Sequence, residues 1–403
     1  MNKEIILFEK KQDCCGCGVC ANSCPYRAIE MQPDEYGFIY PVIDTEKCVG
    51  CGLCKAVCGF QKENHHPSPI SAYAMQAKDD SLLEKSASGG VFAVLAKEIL
   101  VRGGAVAGCA IARIDGRMMP RHLIIESMEE LPKLQGSKYA QSYMGDIYCR
   151  VKELLASGRQ VLFSGTPCQV DGLNNFLRGK NTANLFTVDL ICHGVPSAQL
   201  LADYLTVLEK KCKGTLVHFT FRDKSAGWGY NGKAKMQYSD NRGKLQESTF
   251  RLGDSSFYKL FQVSELSRES CYHCKYACLH RPGDLTIGDF WGIEHQHPEA
   301  LSANGGVLQM KKGISCVMVN TEQGRALLKA LASHARLVES RLDAISQENS
   351  HLYAPATKGV NRDKILKRYQ KGGYPAVERW FYFYNFRRKV KKRIASVLRK
   401  IKH

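Results

Sequence analysis

Apolar residues recur at helical spacing between Gly89 and Arg102, where Val91, Phe92, Leu95, Ile99 and Leu100 share a broad face. Gly103-Gly104 ends that helix, and the apolar run Ala105–Ala112 then reads as a buried strand. The same reading predicts a helix over 147–155, ended near Gly158, and a strand over 160–163. Ser164-Gly165-Thr166-Pro167 is a turn leading into a further helix. A strand over 185–191 runs into the turn Cys192-His193-Gly194, and 198–211 is helical. Strands follow at 216–222, 233–238 and 285–288. Helices and strands alternate in the first half and strands dominate later, so the body is mixed α/β and the whole chain is α+β. The pattern does not give the strand order.

Composition changes this picture in two places. Apolar residues (44%) and charged residues (24%) are at ordinary levels for a globular protein of 403 residues. The net charge of +18 is concentrated, however: residues 358–403 hold 16 Lys and Arg against 2 Asp and Glu. The high charge therefore belongs to a tail and not to a basic face of the body. The most apolar region, Val91–Ala112, is interrupted by Lys97, Glu98 and Arg102, which excludes a membrane-spanning helix there. The second departure is 18 cysteines. Met1–Lys11 has charges and only a short apolar stretch, unlike a secretory leader, and most of the cysteines sit at metal-type spacing. These features predict a reducing, cytoplasmic compartment.

Four parts follow: a cysteine-rich repeat (1–64), a polar Pro-containing linker (65–71), the body (72–355) and the basic tail (356–403). In the first part Cys14, Cys17, Cys20 and Cys24, followed by Pro25, have the C-x2-C-x2-C-x3-C-P spacing of bacterial ferredoxins. Cys48, Cys51, Cys54 and Cys58 repeat that spacing, with Gly59 in place of the proline. Three thiolates on a tight turn cap three irons of a cubane, and the fourth leaves on a short helix to reach the other cluster. One [4Fe-4S] cluster then takes Cys14, Cys17, Cys20 and Cys58, and the other Cys48, Cys51, Cys54 and Cys24. Gly16, Gly18, Gly50 and Gly52 let the backbone wrap the sulfides. A pair of zinc sites would need two C-x2-C pairs per ion, which this doubled run does not present. Cys15 is surplus to the pattern.

A second group, Cys271, Cys274 and Cys278, lies far downstream. Three such thiolates suit another [4Fe-4S] cluster with a fourth ligand from elsewhere, the candidates being Cys168 and Cys192 at strand ends. Zinc is the alternative, because His273 and His280 are nearby.

Five stretches in order carry a resemblance: Lys85-Ser86-Ala87-Ser88-Gly89-Gly90-Val91-Phe92, Gln135-Gly136-Ser137-Lys138-Tyr139, Ser164-Gly165-Thr166-Pro167-Cys168-Gln169, the segment from Asp189 to Pro196, and that from Asp284 to Gly292. Together with the cysteine runs they resemble the coenzyme F420 hydrogenase/dehydrogenase beta-subunit family over about residues 1–340. The resemblance implies an FAD-binding body with its own [4Fe-4S] cluster, fed by the ferredoxin-type domain. Family members pass electrons between clusters and a deazaflavin, or reduce other organic substrates.

The residues are consistent with a flavin on their own terms. Ser86, Ser88, Gly89 and Gly90 open a helix, and backbone N–H groups there suit a pyrophosphate, although Ser88 as a simple N-cap explains them equally well. Lys138 follows Gly136-Ser137 and could meet a phosphate or the flavin ring, or only water. Ser164, Gly165 and Thr166 end a strand and enter a helix, as ligand turns do. His193 is a candidate proton donor and Asp289 a candidate site residue, with Trp291 beside it as lining or core. The expected protein is an iron–sulfur flavoprotein oxidoreductase acting on a small organic substrate or a deazaflavin. It would draw on a redox partner protein or a reduced ferredoxin-type donor. A non-catalytic electron-transfer subunit of a larger complex is the alternative.

In the tail, Trp380–Phe386 is aromatic, and Phe386, Val390, Ile394, Val397, Leu398 and Ile401 recur at helical spacing among Lys and Arg. Such a helix suits an anionic membrane surface, an acidic partner or packing on the body. No base-reading motif accompanies the charge, so specific nucleic-acid binding is not expected.

Overall fold

Four parallel strands form the centre of the body. The computed structural model describes residues 5–63, 65–229 and 232–401, with side chains as far as Arg387. The N-terminal segment contributes a two-stranded antiparallel sheet, β1 (Ile29–Pro33) and β2 (Ile39–Ile43), with Ile29 opposite Ile43. Two short helices, Val19–Asn22 and Leu53–Ala56, follow the two cysteine turns. Each opens on a glycine in the left-handed region, Gly18 (φ 77°) and Gly52 (φ 73°), where a side chain would be strained.

The remaining strands are β3 (Ser71–Ala77), β4 (Ala105–Ile114), β5 (Arg117–Ile125), β6 (Val161–Gly165), β7 (Leu185–Leu190), β8 (Gly214–Asp223), β9 (Lys233–Asp240), β10 (Leu245–Arg251), β11 (Leu285–Asp289), β12 (Ser315–Val319) and β13 (Ala335–Ser340). The main sheet has the order β13-β3-β12-β11-β7-β6-β4-β5. Within it β4, β6, β7 and β11 run parallel, whereas β5, β12 and β13 pair antiparallel with their neighbours. Strands β8, β9 and β10 make a separate antiparallel sheet. The mixed α/β body thus follows the sequence reading, and the sheet order explains where a site collects. The carboxyl ends of the parallel strands open onto one side, where α/β sheets hold ligands.

Helices predicted from periodicity appear at Val91–Val101, Ile147–Ala156 and Ala198–Cys212. The first part of the tail takes the third of its alternatives, packing on the body. Arg362–Ile401 is helical with a break at Gly372-Gly373, and Ile365, Leu366, Tyr369, Tyr374, Val377 and Phe381 are buried in one core with Leu200, Leu201, Tyr204 and Leu208. Beyond that anchor Tyr382, Phe383 and Phe386 are exposed. The predicted apolar positions Val390, Ile394, Val397, Leu398 and Ile401 lie outside the described side chains. Among the described residues no helix is long and apolar enough to cross a membrane. The predicted linker is also docked: His66 Nε2 lies 3.1 Å from Asp171, and Ile70 donates its N–H to the Val319 carbonyl.

Candidate functional site: two cysteine groups and a cavity

The N-terminal cysteines interleave as their spacing requires. Cys24, Cys48, Cys51 and Cys54, with Pro25, line one small recess. Cys20 lies within electrostatic range of Cys14 and Cys58, and burial followed by those neighbours pushes its thiol up to about 12. Each run therefore sends its fourth cysteine to the other run's group. A cubane fits this donor set, because the Ala28 N–H points at Cys24 Sγ (3.4 Å) and the glycine turns leave the backbone free to wrap sulfide. Among the described residues no three His, Cys, Asp or Glu side chains converge as they would on a single ion. Thiolates around a cubane stand further apart than around one metal, since each holds a different corner.

The downstream cysteines assemble differently from the sequence pattern. Cys192 is half-buried, and burial first, then Cys271, Cys168 and Cys274, raises its thiol well above the ordinary range. Burial, then Cys274 and Cys168, pushes Cys271 up to about 12, and burial, then Cys168, pushes Cys274 up to about 11. Both fourth-ligand candidates therefore join Cys271 and Cys274. The Cys278 thiol instead donates to the carbonyls of Lys275 (3.4 Å) and His280 (3.3 Å). The reason is topological: β6 and β7 pair in parallel with Gly165 opposite Asp189, and Cys168 and Cys192 each come three residues later. A cluster fits this group too. Ser267 Oγ is buried without a hydrogen-bond partner, and Ser267 and Cys271 are the side chains nearest to where a Cβ on Gly194 would sit. A free hydroxyl close to Cys271 is suited to a sulfide acceptor.

The surplus Cys15 is where the two groups touch. It is fully buried, with its thiol against both Cys168 and Cys17. The loop around it is clamped to the body. Gln141 donates to the Cys15 and Gly16 carbonyls (2.8 and 3.2 Å), and Tyr148 Oη donates to the Cys17 carbonyl (3.1 Å).

On the far side of Cys168 and Cys192 lies a cavity of about 430 Å3, within the range of small-molecule sites. Ser86, Ser88, Gly90, Lys138, Ser164, Gly165, Thr166, Cys192, His193 and Asp289 all line it. Gly89 does not: its Cα packs so tightly on β3 and β12 that a Cβ would sit 2.2 Å from the Met75 oxygen. Ser88 is not an N-cap either, since its hydroxyl donates to the Ile314 carbonyl (2.9 Å). The helix Val91–Val101 starts at Gly90 (φ 81°) with no side-chain cap, and Gly90, Val91 and Phe92 at that end line the cavity. That is an anion cradle, and it fits the pyrophosphate of a dinucleotide.

Lys138 is half-buried, and its ammonium is engaged by backbone carbonyls. Burial lowers it to about 8, and its ammonium donates to the carbonyls of Leu134 and Gln135 (2.7 Å each). Burial, then His351, lowers His193 to about 4, so the imidazole is neutral at physiological pH. The two rings meet edge to face at 4.4 Å. A neutral His193 can accept a proton or offer a neutral N–H, but it is not a cationic acid. The Asp289 carboxylate is held by two residues that local sequence reading did not single out, Arg222 and Trp228. Arg222 approaches at 3.2 and 3.4 Å, the Trp228 indole donates to Oδ1 at 2.8 Å, and Trp228 stacks on Trp291 at 4.6 Å. Lys224 ties the cradle down by donating to the Leu83, Ser88 and Lys312 carbonyls (2.8, 2.6 and 2.7 Å). Isolated arginines, lysines and tryptophans carry no spacing signal. The alternation of strand Gly214–Asp223 could at most have placed Arg222 on a face.

His122 was likewise missed. It is buried, with Nδ1 2.7 Å from Ser142 Oγ and Nε2 3.0 Å from the Ser164 carbonyl. Burial, aided by Lys138, lowers it from 6.5 to about 4. Between those values the unfolded chain binds the proton that the folded chain refuses. Stability is therefore full above about pH 6.5 and is lost as pH falls toward 4, by up to roughly 3 kcal/mol for this group. His122→Gln should remove that dependence. In paired denaturant titrations the wild-type advantage at pH 7.5 shrinks at pH 5, and a pH-independent gap refutes the assignment.

Three family models match the chain. The 4Fe-4S dicluster domain covers residues 13–61. The coenzyme F420 hydrogenase/dehydrogenase beta subunit N-terminal part covers 72–147, and its C-terminal part 158–344. No curated protein matches. Among solved structures, a chain from a xenon-derivatised F420-reducing [NiFe] hydrogenase complex of Methanosarcina barkeri aligns at 15% identity and a TM-score of 0.44. The alignment covers 77% of this chain and 96% of that one. With both parts of the subunit matched in order behind the dicluster domain, the chain belongs to the coenzyme F420 hydrogenase/dehydrogenase beta-subunit family.

Proposed function

We propose that this protein is an iron–sulfur flavoprotein oxidoreductase. Electrons enter at the N-terminal cysteines, cross a third cluster in the body, and reach FAD and an organic substrate or deazaflavin in the cavity. One observation carries the reading. The Cys168–Cys192–Cys271–Cys274 group touches the N-terminal cysteine loop through Cys15 on one side, while Cys192 itself lines the cavity on the other. A flavin there would supply the conversion between single electrons and two-electron chemistry.

The chain's own residues then have definite tasks. Gly90 and the start of the following helix bind a pyrophosphate, with Lys138 available to a second anionic or carbonyl oxygen. Trp291, Tyr139, Tyr258 and Phe261 offer apolar walls that exclude water from the inner cavity. His193, neutral and beside His351, takes or returns a proton at the substrate end. Asp289 and Arg222 hold that end in place as an ion pair.

A subunit role in a larger complex is the second reading. It is favoured by the apolar surface around Cys51, the exposed cysteine of the N-terminal domain. Tyr26, Val49 and Leu53 are exposed there. Such a face suits a redox partner protein docked for longer than a charge-steered encounter.

Anaerobic purification with iron, sulfide and flavin analysis tests the proposal. About twelve irons, four per cubane, with one FAD per chain are expected. Absence of flavin overturns it.

A further inference from the structure

We propose that Arg268 is the shared counter-charge of two clusters, the one held by Cys14, Cys17, Cys20 and Cys58 and the one held by Cys168, Cys192, Cys271 and Cys274. The proposal rests on the cluster assignments above and adds the residue that sets the electrical step between them.

Arg268 is one of the largest fully buried side chains in the protein. Other buried arginines have carboxylate partners: Arg281 has Asp189, Arg222 has Asp289 and Arg362 has Glu269. Among the described residues Arg268 has none within ion-pair distance. Its Nε donates to the Cys14 carbonyl (2.8 Å), Nη1 to Gln141 Oε1 (3.2 Å) and Nη2 toward Cys14 Sγ (3.8 Å). Its flat face lies 4.0 Å from the centre of the Tyr40 ring. A buried guanidinium with only neutral partners is costly, so the geometry lacks an anion. Four thiolates on a cubane supply one, and each added electron makes it more negative.

The same residue belongs to the second group through its backbone. Its N–H donates to the Val195 carbonyl (2.9 Å), just past the Cys192 turn, and its carbonyl accepts from Cys271 (3.0 Å). Its charge reaches the thiols of Cys14, Cys168 and Cys271. Two anionic clusters this close repel, and an electron on either one raises the repulsion. A fixed cation between them favours the reduced form of each and screens one from the other. The clusters would supply single-electron exchange, in which the electron lost by one is the electron gained by the other, and the Arg268 guanidinium would lie beside both.

Arg268→Met and Arg268→Lys in the anaerobically purified full-length holoprotein test this, by potentiometric titration followed by electron paramagnetic resonance. The methionine variant should lower the midpoint potentials of the two flanking clusters and leave that of the Cys24, Cys48, Cys51 and Cys54 cluster in place. The lysine variant should fall between methionine and wild type. Unchanged potentials, or an equal shift of all three, overturn the proposal. If the methionine variant loses iron, wild-type holoprotein with nitrogen-15 arginine decides. Reduced flanking clusters should show coupling to a guanidinium nitrogen that the lysine variant lacks, and no coupling overturns the proposal. About eight irons in the wild type would instead refute the body cluster on which it stands.

Discussion

Asp189→Asn should destabilise the folded protein by about 3–5 kcal/mol, the cost of breaking a buried ion pair by removing one partner. Asp189 and Arg281 are both almost wholly inaccessible to solvent. Asp189 Oδ1 accepts from Arg281 Nε (3.0 Å) and Nη2 (2.8 Å), and Oδ2 accepts from the Gly283 N–H (2.9 Å). An amide keeps the shape but leaves the guanidinium without a counter-charge in the interior. The effect is also local, because Arg281 donates to the Leu190 and Tyr276 carbonyls and so joins the end of β7 to the 271–281 loop. That junction sets Cys192 beside Cys271 and Cys274. Chemical denaturation gives the size of the loss, and iron analysis gives its local consequence. A change under about 1 kcal/mol would place this pair with exposed ion pairs and defeat the argument. Replacing both residues by leucine and methionine together should recover much of the stability, since no buried charge is then left alone.

The pair also shows what a linear sequence can and cannot convey. The N-terminal cysteines were legible because ligand spacing is a local property: a tight turn and a short helix bring the sulfurs together without help from the rest of the chain. The helix Val91–Val101 was legible for the same reason, through its periodic apolar face. Neither β3 nor β5 was read. Alanine fills three of the seven positions of β3 and blurs its alternation, while β5 contains Pro120. The choice between Cys168 and Cys192 was undecidable in sequence because it depends on which strands are neighbours. Once β6 lies beside β7 in parallel, both cysteines emerge together beside Cys271 and Cys274, and the choice between them falls away in the proposed ligand set. Arg268 and Arg222 were invisible for a related reason. A buried cation is recognised by what surrounds it, and their partners come from sequence positions up to 254 residues away. Cavity residues were legible where glycine and serine mark a turn and not where a large side chain reaches in from a separate sheet.

Cys192→Ala should remove the body cluster and leave the other two, so iron falls from about twelve to about eight per chain. Cys278→Ser should leave iron at the wild-type level. The contrast is sharp because spacing alone predicts the opposite: Cys278 completes a compact run with Cys271 and Cys274, whereas Cys192 lies some eighty residues upstream in sequence. Geometry reverses the order. Cys192 shares its electrostatic surroundings with Cys168, Cys271 and Cys274, while the Cys278 thiol is engaged with the Lys275 and His280 carbonyls of its own loop. Cys168→Ala should match Cys192→Ala in iron lost. In each variant the N-terminal clusters remain reducible, but the connection between Cys15 and the cavity is cut. Electrons supplied at the N-terminal domain should then no longer bleach the flavin absorbance. Iron and sulfide analysis with low-temperature resonance spectra of the dithionite-reduced proteins separates these outcomes. Loss of four irons in Cys278→Ser with none lost in Cys192→Ala would restore the ligand set that spacing suggests and would break the proposed route from the N-terminal domain to the cavity.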